Sequence, residues 1–317
     1  MARTSKMNMI MHGDGHGGIH HHDGFINVNG IFDGHFDIVL TNPPFGANVE
    51  PSDVILDSDV AVSTEDFRRY TREFGDIYKD AQARVRALRG KPIAALFELP
   101  KDKKSKVKTE ILFLERCLAL LKPGGRLGIV LPEGVLNNPS LAYVREFCED
   151  RAFIRAVVSL PQETFYSSGA SVKASLLFMQ KFTEEEQGGF NAEKQRALGE
   201  TAAKYASEIA DKTGRLEAEI SSAKETGDAG RRKAAQKELR DYLKAMQAKI
   251  AAEARARLKE HFDYPVFLYE AEKVGITATG EDYDNELYPN PHVPAHVEAT
   301  ALDLHREFQR DPERFFV

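Results

Sequence analysis

The chain has 317 residues, a formal net charge of −6 and 42% hydrophobic residues. This is enough apolar material for a large core and excludes wholesale disorder. The negative balance excludes a global attraction to nucleic acid and leaves such contacts to a local patch or a partner subunit. No run of 18 apolar residues and no signal-like apolar stretch occurs, so neither a membrane span nor a secretory leader is expected. Cys117 and Cys148 fall in apolar helical patterns and read as reduced core residues; the expected compartment is the cytoplasm.

Residues 1–35 are rich in glycine and histidine after "KMNMIMHG", which can close a helix. Phe36–Leu40 reads as a short buried parallel strand ended by turn residues. Residues 47–108 are mixed and charged and end in the Lys-rich loop "KDKKSKVK". From Thr109 to Leu121, Ile111, Leu114, Leu118 and Leu121 mark one stripe of an amphipathic helix. "KPGG" is its stop signal. The strand "RLGIVLP", a helix around Leu141–Cys148, and the strands "FIRAVVSLP" and "VKASLLFMQKF" follow. Strands alternating with helices predict a parallel-dominated α/β sheet over residues 1–182.

Residues 183–262 change character, being rich in Ala, Glu, Lys and Arg with a "TGDAG" break at Thr226–Gly230. Leu198, Ala202, Tyr205 and Ile209 keep helical spacing before the break, and Leu239, Tyr242, Met246 and Ile250 keep it beyond. An inserted antiparallel helical hairpin is expected, its first arm acidic on balance and its second basic, so that the arms attract. Residues 263–317 are expected to return to the core with one more strand in "YPVFLYEAEKVG" and a surface helix over 298–311.

The candidate site is Asn42-Pro43-Pro44-Phe45 at the end of the first strand. In open α/β sheets ligands sit beyond the carboxyl ends of the strands. The Asn42 side-chain carbonyl and the Pro43 backbone carbonyl are both acceptors, and the prolines fix their φ angles. Phe45 adds a flat face. Two converging acceptors beside a stacking ring describe a pocket for an exocyclic amine on an aromatic base, a description that fits adenine N6. The histidines His12, His16 and His20 to His22 suggest a metal, but strand alternation would split the triplet across two faces and glycines hold no rigid cage, so no metal is expected. "GDGHGG" mimics a nucleotide-binding loop, yet no strand precedes it.

The tetrapeptide resembles the catalytic motif of amino-methyltransferases that use S-adenosylmethionine. With "FDIVLTNPPFG", "TEILFLERCLALLKPGGRLGIVLPEGVL", "SLPQETFYSSGASVKASLLFMQKF" and "YPVFLYEAEKVGITATG", the chain resembles the modification (M) subunit of type I restriction–modification systems. The resemblance implies a partial Rossmann-like methyltransferase sheet and transfer of a methyl group from S-adenosylmethionine to N6 of an adenine flipped out of double-stranded DNA. It makes Asn42, Pro43, Pro44 and Phe45 catalytic and Phe165 a second base-stacking wall, with Tyr166 as competitor. Asp23 becomes the acidic residue that bonds the cofactor's adenine amine. The implied partners are a specificity (S) and a restriction (R) subunit.

The family's sheet order is 3-2-1-4-5-7-6. A strand–helix unit takes about 30 residues, and the 35 residues before Phe36 hold neither the glycine-rich cofactor turn nor the acidic end of a second strand. "FDIVL" is therefore expected at an open sheet edge, and the chain is expected to need a missing N-terminal half to bind cofactor, leaving it inactive alone. Two rival readings remain: an N-methyltransferase acting on protein glutamine or RNA, which shares the tetrapeptide, and a non-catalytic scaffold built on the 183–262 hairpin.

Overall fold

The computed structural model describes residues 2–14, 18–19, 23–26, 31–100, 105–289 and 297–316. The chain divides into two compact units, residues 1–183 with 265–317, and residues 184–264.

The first unit is an α/β structure. Helix α1 spans Ala2–Met11 and strand β1 Phe36–Thr41. The long helix α2, Thr64–Ala87, comes next, then α3, Thr109–Leu120, and strand β2, Leu121–Pro132. Helix α4 (Ala142–Glu149), strands β3 (Ala152–Ser159) and β4 (Ala174–Lys181), and, after the second unit, strand β5 (Phe267–Glu270) complete the sheet region.

The sheet order is β1-β2-β4-β3-β5. β1 pairs parallel with β2, and β3 with β5, while β4 runs antiparallel to both of its neighbours. Four of the five strands thus share one direction, as expected for a parallel-dominated sheet. The order β1-β2-β4-β3 is the 4-5-7-6 arrangement implied by the resemblance, with β1 at the edge.

One face of this sheet carries the main core. Leu127, Ile129 and Leu131 of β2 alternate inward onto Leu114, Cys117 and Leu118 of α3, all buried. Cys117 and Cys148 are free and buried there, and burial pushes both thiols up to about 12. Such thiols stay protonated and unreactive.

Four features depart from the sequence reading. β1, read as buried, has no buried residue, with Ile38 51% and Leu40 76% exposed. The "mixed and charged" region holds the 24-residue α2, capped by the Ser63 side chain accepting from the Asp66 amide and kinked at Gly75 (φ 62°, ψ −136°). Its Phe67, Tyr70, Phe74 and Tyr78 form a continuous aromatic cluster. The "KPGG" stretch does end α3, but the chain enters β2 at Leu121 with no intervening loop. In "IHHHDGF", read as a strand, Gly24 to Ile26 form a turn, and His20 to His22 lie outside the described residues, as does His16.

The second unit consists of helices α5, Glu184–Glu225, and α6, Ala229–His261. Asp228 caps α6 through the Arg231 amide. Lys204 and Tyr205 of α5 both bond Glu253 of α6, and nearer the turn Lys212 pairs with Glu238 and Arg231 with Glu219. Pairs that close inward in this way fix the arms as antiparallel. They are solvated and each contributes little; the seam is held by buried Tyr205, Leu216, Ala235, Met246 and Leu258. Among the described residues no helix is long and apolar enough to cross a membrane.

Helix α7, Ala301–Arg310, opens with a capping box between Thr300 and Asp303 and lies on β5 and β3 through Phe308, Phe267 and Ala156. Where β1 meets β2, the register jumps from Phe36↔Leu121 to Ile38↔Arg126. Gly125 makes this possible: a Cβ there would stand 2.9 Å from the Lys122 carbonyl oxygen and 3.1 Å from that of Asp37. Both are backbone atoms and cannot step aside. Gly125→Ala is therefore expected to destabilise by about 1–3 kcal/mol, seen as a lower midpoint in urea; an unchanged midpoint would show that β1 does not need this close approach.

Candidate active site

The end of β1 delivers the tetrapeptide to the carboxyl edge of the sheet, where β2 and β3 also end. Pro43 is buried and Asn42 exposed, so the loop is anchored through a proline and presents the amide outward. Neither the Asn42 amide nor the Pro43 carbonyl takes part in a hydrogen bond among the described residues. Gly46, at φ 73°, turns the chain back into a short ladder, Asn48↔Lys108 and Val49↔Val107. The left-handed conformation suits glycine there.

What fixes the loop is Thr109, the first residue of α3. Its hydroxyl donates to the Pro44 carbonyl at 2.9 Å and reaches the Ala47 carbonyl at 3.3 Å, while its amide donates to Ala47 at 3.0 Å. An otherwise orphan N–H at a helix start thereby grips the loop, and Pro44's acceptor is consumed while Pro43's is left open.

Phe45 is half-buried and meets Phe165 edge-on, with ring centroids 5.8 Å apart and planes at 90°. Both rings rest on Val158, Leu160 and Ala174. Phe165 lies in a tight loop whose carbonyl accepts from the amides of Ser168 and Ala170 at 3.1 Å each and from the Ser168 hydroxyl at 2.9 Å. Tyr166 is turned out, 45% exposed. Of the two aromatic candidates, only Phe165 is brought to Phe45.

Asp23 is exposed and not brought against the tetrapeptide by any contact among the described residues. Its Oδ1 accepts from the Phe25 amide at 2.8 Å, an Asx-type turn, and its other oxygen makes no bond among those residues. The turn is pinned by Phe25, 4.2 Å from Phe113 and 5.6 Å from Phe97. Asp23 is thus an outward acceptor on an anchored turn.

Sequence reasoning missed Thr109 and its neighbour Glu110. Glu110 is 1% exposed; among the described residues neither of its oxygens has a hydrogen-bond partner, and Lys108 Nζ lies 3.7 Å from its Oε1. An acidic residue in the first turn suits the helix dipole, and that ordinary role conceals its burial. Among the described residues no group of three or more His, Cys, Asp or Glu is arranged to hold a metal.

The model of the N-6 DNA Methylase family matches residues 1–72 and 97–226, well over half of the chain. The chain belongs to the N-6 DNA methylase family. It is similar to a chain of a type I restriction–modification system, at 26% identity and TM-score 0.36 over 56% of this chain. A Listeria monocytogenes protein assigned as a class I S-adenosylmethionine-dependent methyltransferase is 28% identical over 29% of this chain, with TM-score 0.26. The EcoKI M protein of a type I restriction enzyme is 22% identical over 58%, with TM-score 0.37. This chain spans 27%, 27% and 30% of those three chains, respectively. None of the curated proteins matches significantly.

The Thr109 clamp carries a testable cost. Thr109→Val keeps the shape but strips the Pro44 carbonyl of its donor, which is expected to cost about 1 kcal/mol in chemical unfolding and to speed amide exchange at Phe45 and Gly46. Wild-type exchange in the variant would show that the loop is held by something else.

Proposed function

We propose that this chain is part of a type I modification subunit that methylates N6 of adenine in double-stranded DNA, working with a specificity and a restriction subunit. The observation that carries the reading is the pair of acceptors, Asn42 and Pro43, that make no hydrogen bond among the described residues and are held by the Thr109 clamp beside the Phe45–Phe165 corner. Membership of the N-6 DNA methylase family supports it.

On this reading the target base leaves the duplex and stacks on Phe45, with Phe165 closing the side. Its amino group donates one N–H to the Asn42 side-chain oxygen and the other to the Pro43 carbonyl. Two fixed acceptors hold the nitrogen in one orientation, turning its lone pair out of conjugation, and stabilise the positive charge that grows on it. Pro44 keeps Pro43's carbonyl from swinging, because its ring restricts the ψ angle of the residue before it. S-adenosylmethionine supplies an electrophilic methyl group on a sulfonium, and Asp23 is the residue proposed to take its adenine amine. The proton displaced from the target nitrogen leaves to water. The proposed place of action is the cytoplasm.

The test is Asn42→Ala in the reconstituted complex. Methyl transfer is expected to fall by about 10²–10³-fold or more while duplex DNA binding stays within a factor of about two. Retained methylation of plasmid DNA would refute the assignment.

A further inference from the structure

The Lys-rich run "KDKKSKVK" has no part in the proposed transfer, yet its last residues lie against the tetrapeptide loop. Lys108 pairs with Asn48 and Val107 with Val49, and the next residue, Thr109, holds the loop through Pro44 and Ala47. Lys106 and Lys108 are exposed on either side of buried Val107. This is the alternation of an extended segment, and it puts both lysines on the side away from the core. Lys106 makes no ion pair among the described residues, neither with Glu50, which follows Val49, nor with any other acid.

Among the described residues the acid that answers Lys108 is Glu110, and the two are unlike in exposure: 56% for the lysine side chain and 1% for the carboxylate. Glu110 stands four and seven residues before Leu114 and Cys117, on the stripe of α3 that packs under β2. An apolar residue would serve that stripe better, because a buried carboxylate is costly unless a cation and hydrogen bonds answer it. Neither Glu110 oxygen has a hydrogen bond among the described residues. At 3.7 Å its contact with Lys108 is Coulombic and too long for a hydrogen bond. The acid therefore restrains the ammonium without using its donors, which are not engaged by any described residue.

We propose that Lys106 and Lys108 bind a phosphodiester of the strand that carries the target base, and that Glu110 is the positioning residue that keeps Lys108 beside the loop. The proposal deepens the reading of the site as a DNA adenine methyltransferase and rests on it. A base that leaves the duplex turns about its own backbone, so its flanking phosphates arrive at the rim of the pocket, and the ladder at Asn48 puts Lys108 at that rim. Phosphate contacts set register without reading sequence. They suit a chain of net charge −6, whose cations have to be gathered locally.

The test uses the reconstituted complex and duplexes in which single phosphates around the target adenine are replaced by uncharged methylphosphonates. Lys108→Ala, and separately Lys106→Ala, should weaken DNA binding about fivefold near physiological salt and flatten the plot of log K against log salt by about one. Lys79→Ala, on α2 and paired with Asp76, is the control and should change neither. At one flanking position the methylphosphonate should weaken binding by the wild type but not by Lys108→Ala. Glu110→Gln keeps the side-chain shape, and in that background Lys108→Ala should cost less than about twofold. Unchanged salt slopes in both lysine variants, or losses that add to the methylphosphonate loss at every position, would overturn the phosphate contact. The full cost of Lys108→Ala in the Gln background would overturn the role of Glu110 and leave it a structural residue. A wild-type complex that methylates no DNA would overturn the underlying reading, and this proposal with it, which the salt slopes alone do not.

Discussion

The grip of Thr109 on the Asn42–Ala47 loop is the constraint from which the site follows. Two prolines stiffen the tetrapeptide but do not say where it points. The start of α3 does that, by taking the carbonyls of Pro44 and Ala47 but not that of Pro43. Proline rigidity and helix-terminus hydrogen bonding divide the work: one removes backbone freedom, the other sets direction. Phe45 then has one place to go, against Phe165, whose own loop is tied by its carbonyl.

Much of this was legible in the residues. The strand before Asn42, the helix from Thr109 and the strands that follow can be read from apolar runs and stop signals, because each is decided by neighbours a few positions away. Thr109's role was not legible, since its partner Pro44 lies 65 positions earlier and a threonine at a helix start looks like ordinary punctuation. Helix α2 was missed for a different reason. Its stripe of Phe67, Tyr70, Phe74 and Tyr78 has helical spacing, but charged residues surround it and Gly75 interrupts it. Glu110 shows the opposite error, a residue whose sequence context is unremarkable and whose burial is not.

The sheet combines a well-packed face with an uncovered one. Leu127, Ile129 and Leu131 are sealed under α3, while Leu40 and Phe178 on the other side meet a groove. The same period-two alternation that builds the core therefore also builds the exposed trough, and Gly128 deepens it: a Cβ there would come 2.8 Å from the Leu40 side chain and 3.2 Å from Phe178. The helical unit of α5 and α6 is held in its own way, by a narrow apolar seam flanked by solvated ion pairs that set the pairing of the arms more than they stabilise it.

The central claim is that Asn42 and Pro43 hold an adenine amine while Phe45 stacks on its ring. The most direct measurement is nucleoside mass spectrometry after the assembled complex acts on duplex DNA with trideuteromethyl-labelled S-adenosylmethionine. The account predicts label in N6-methyldeoxyadenosine and in no other nucleoside. Label on cytosine, on RNA or on a protein amide, with deoxyadenosine unlabelled, would contradict it.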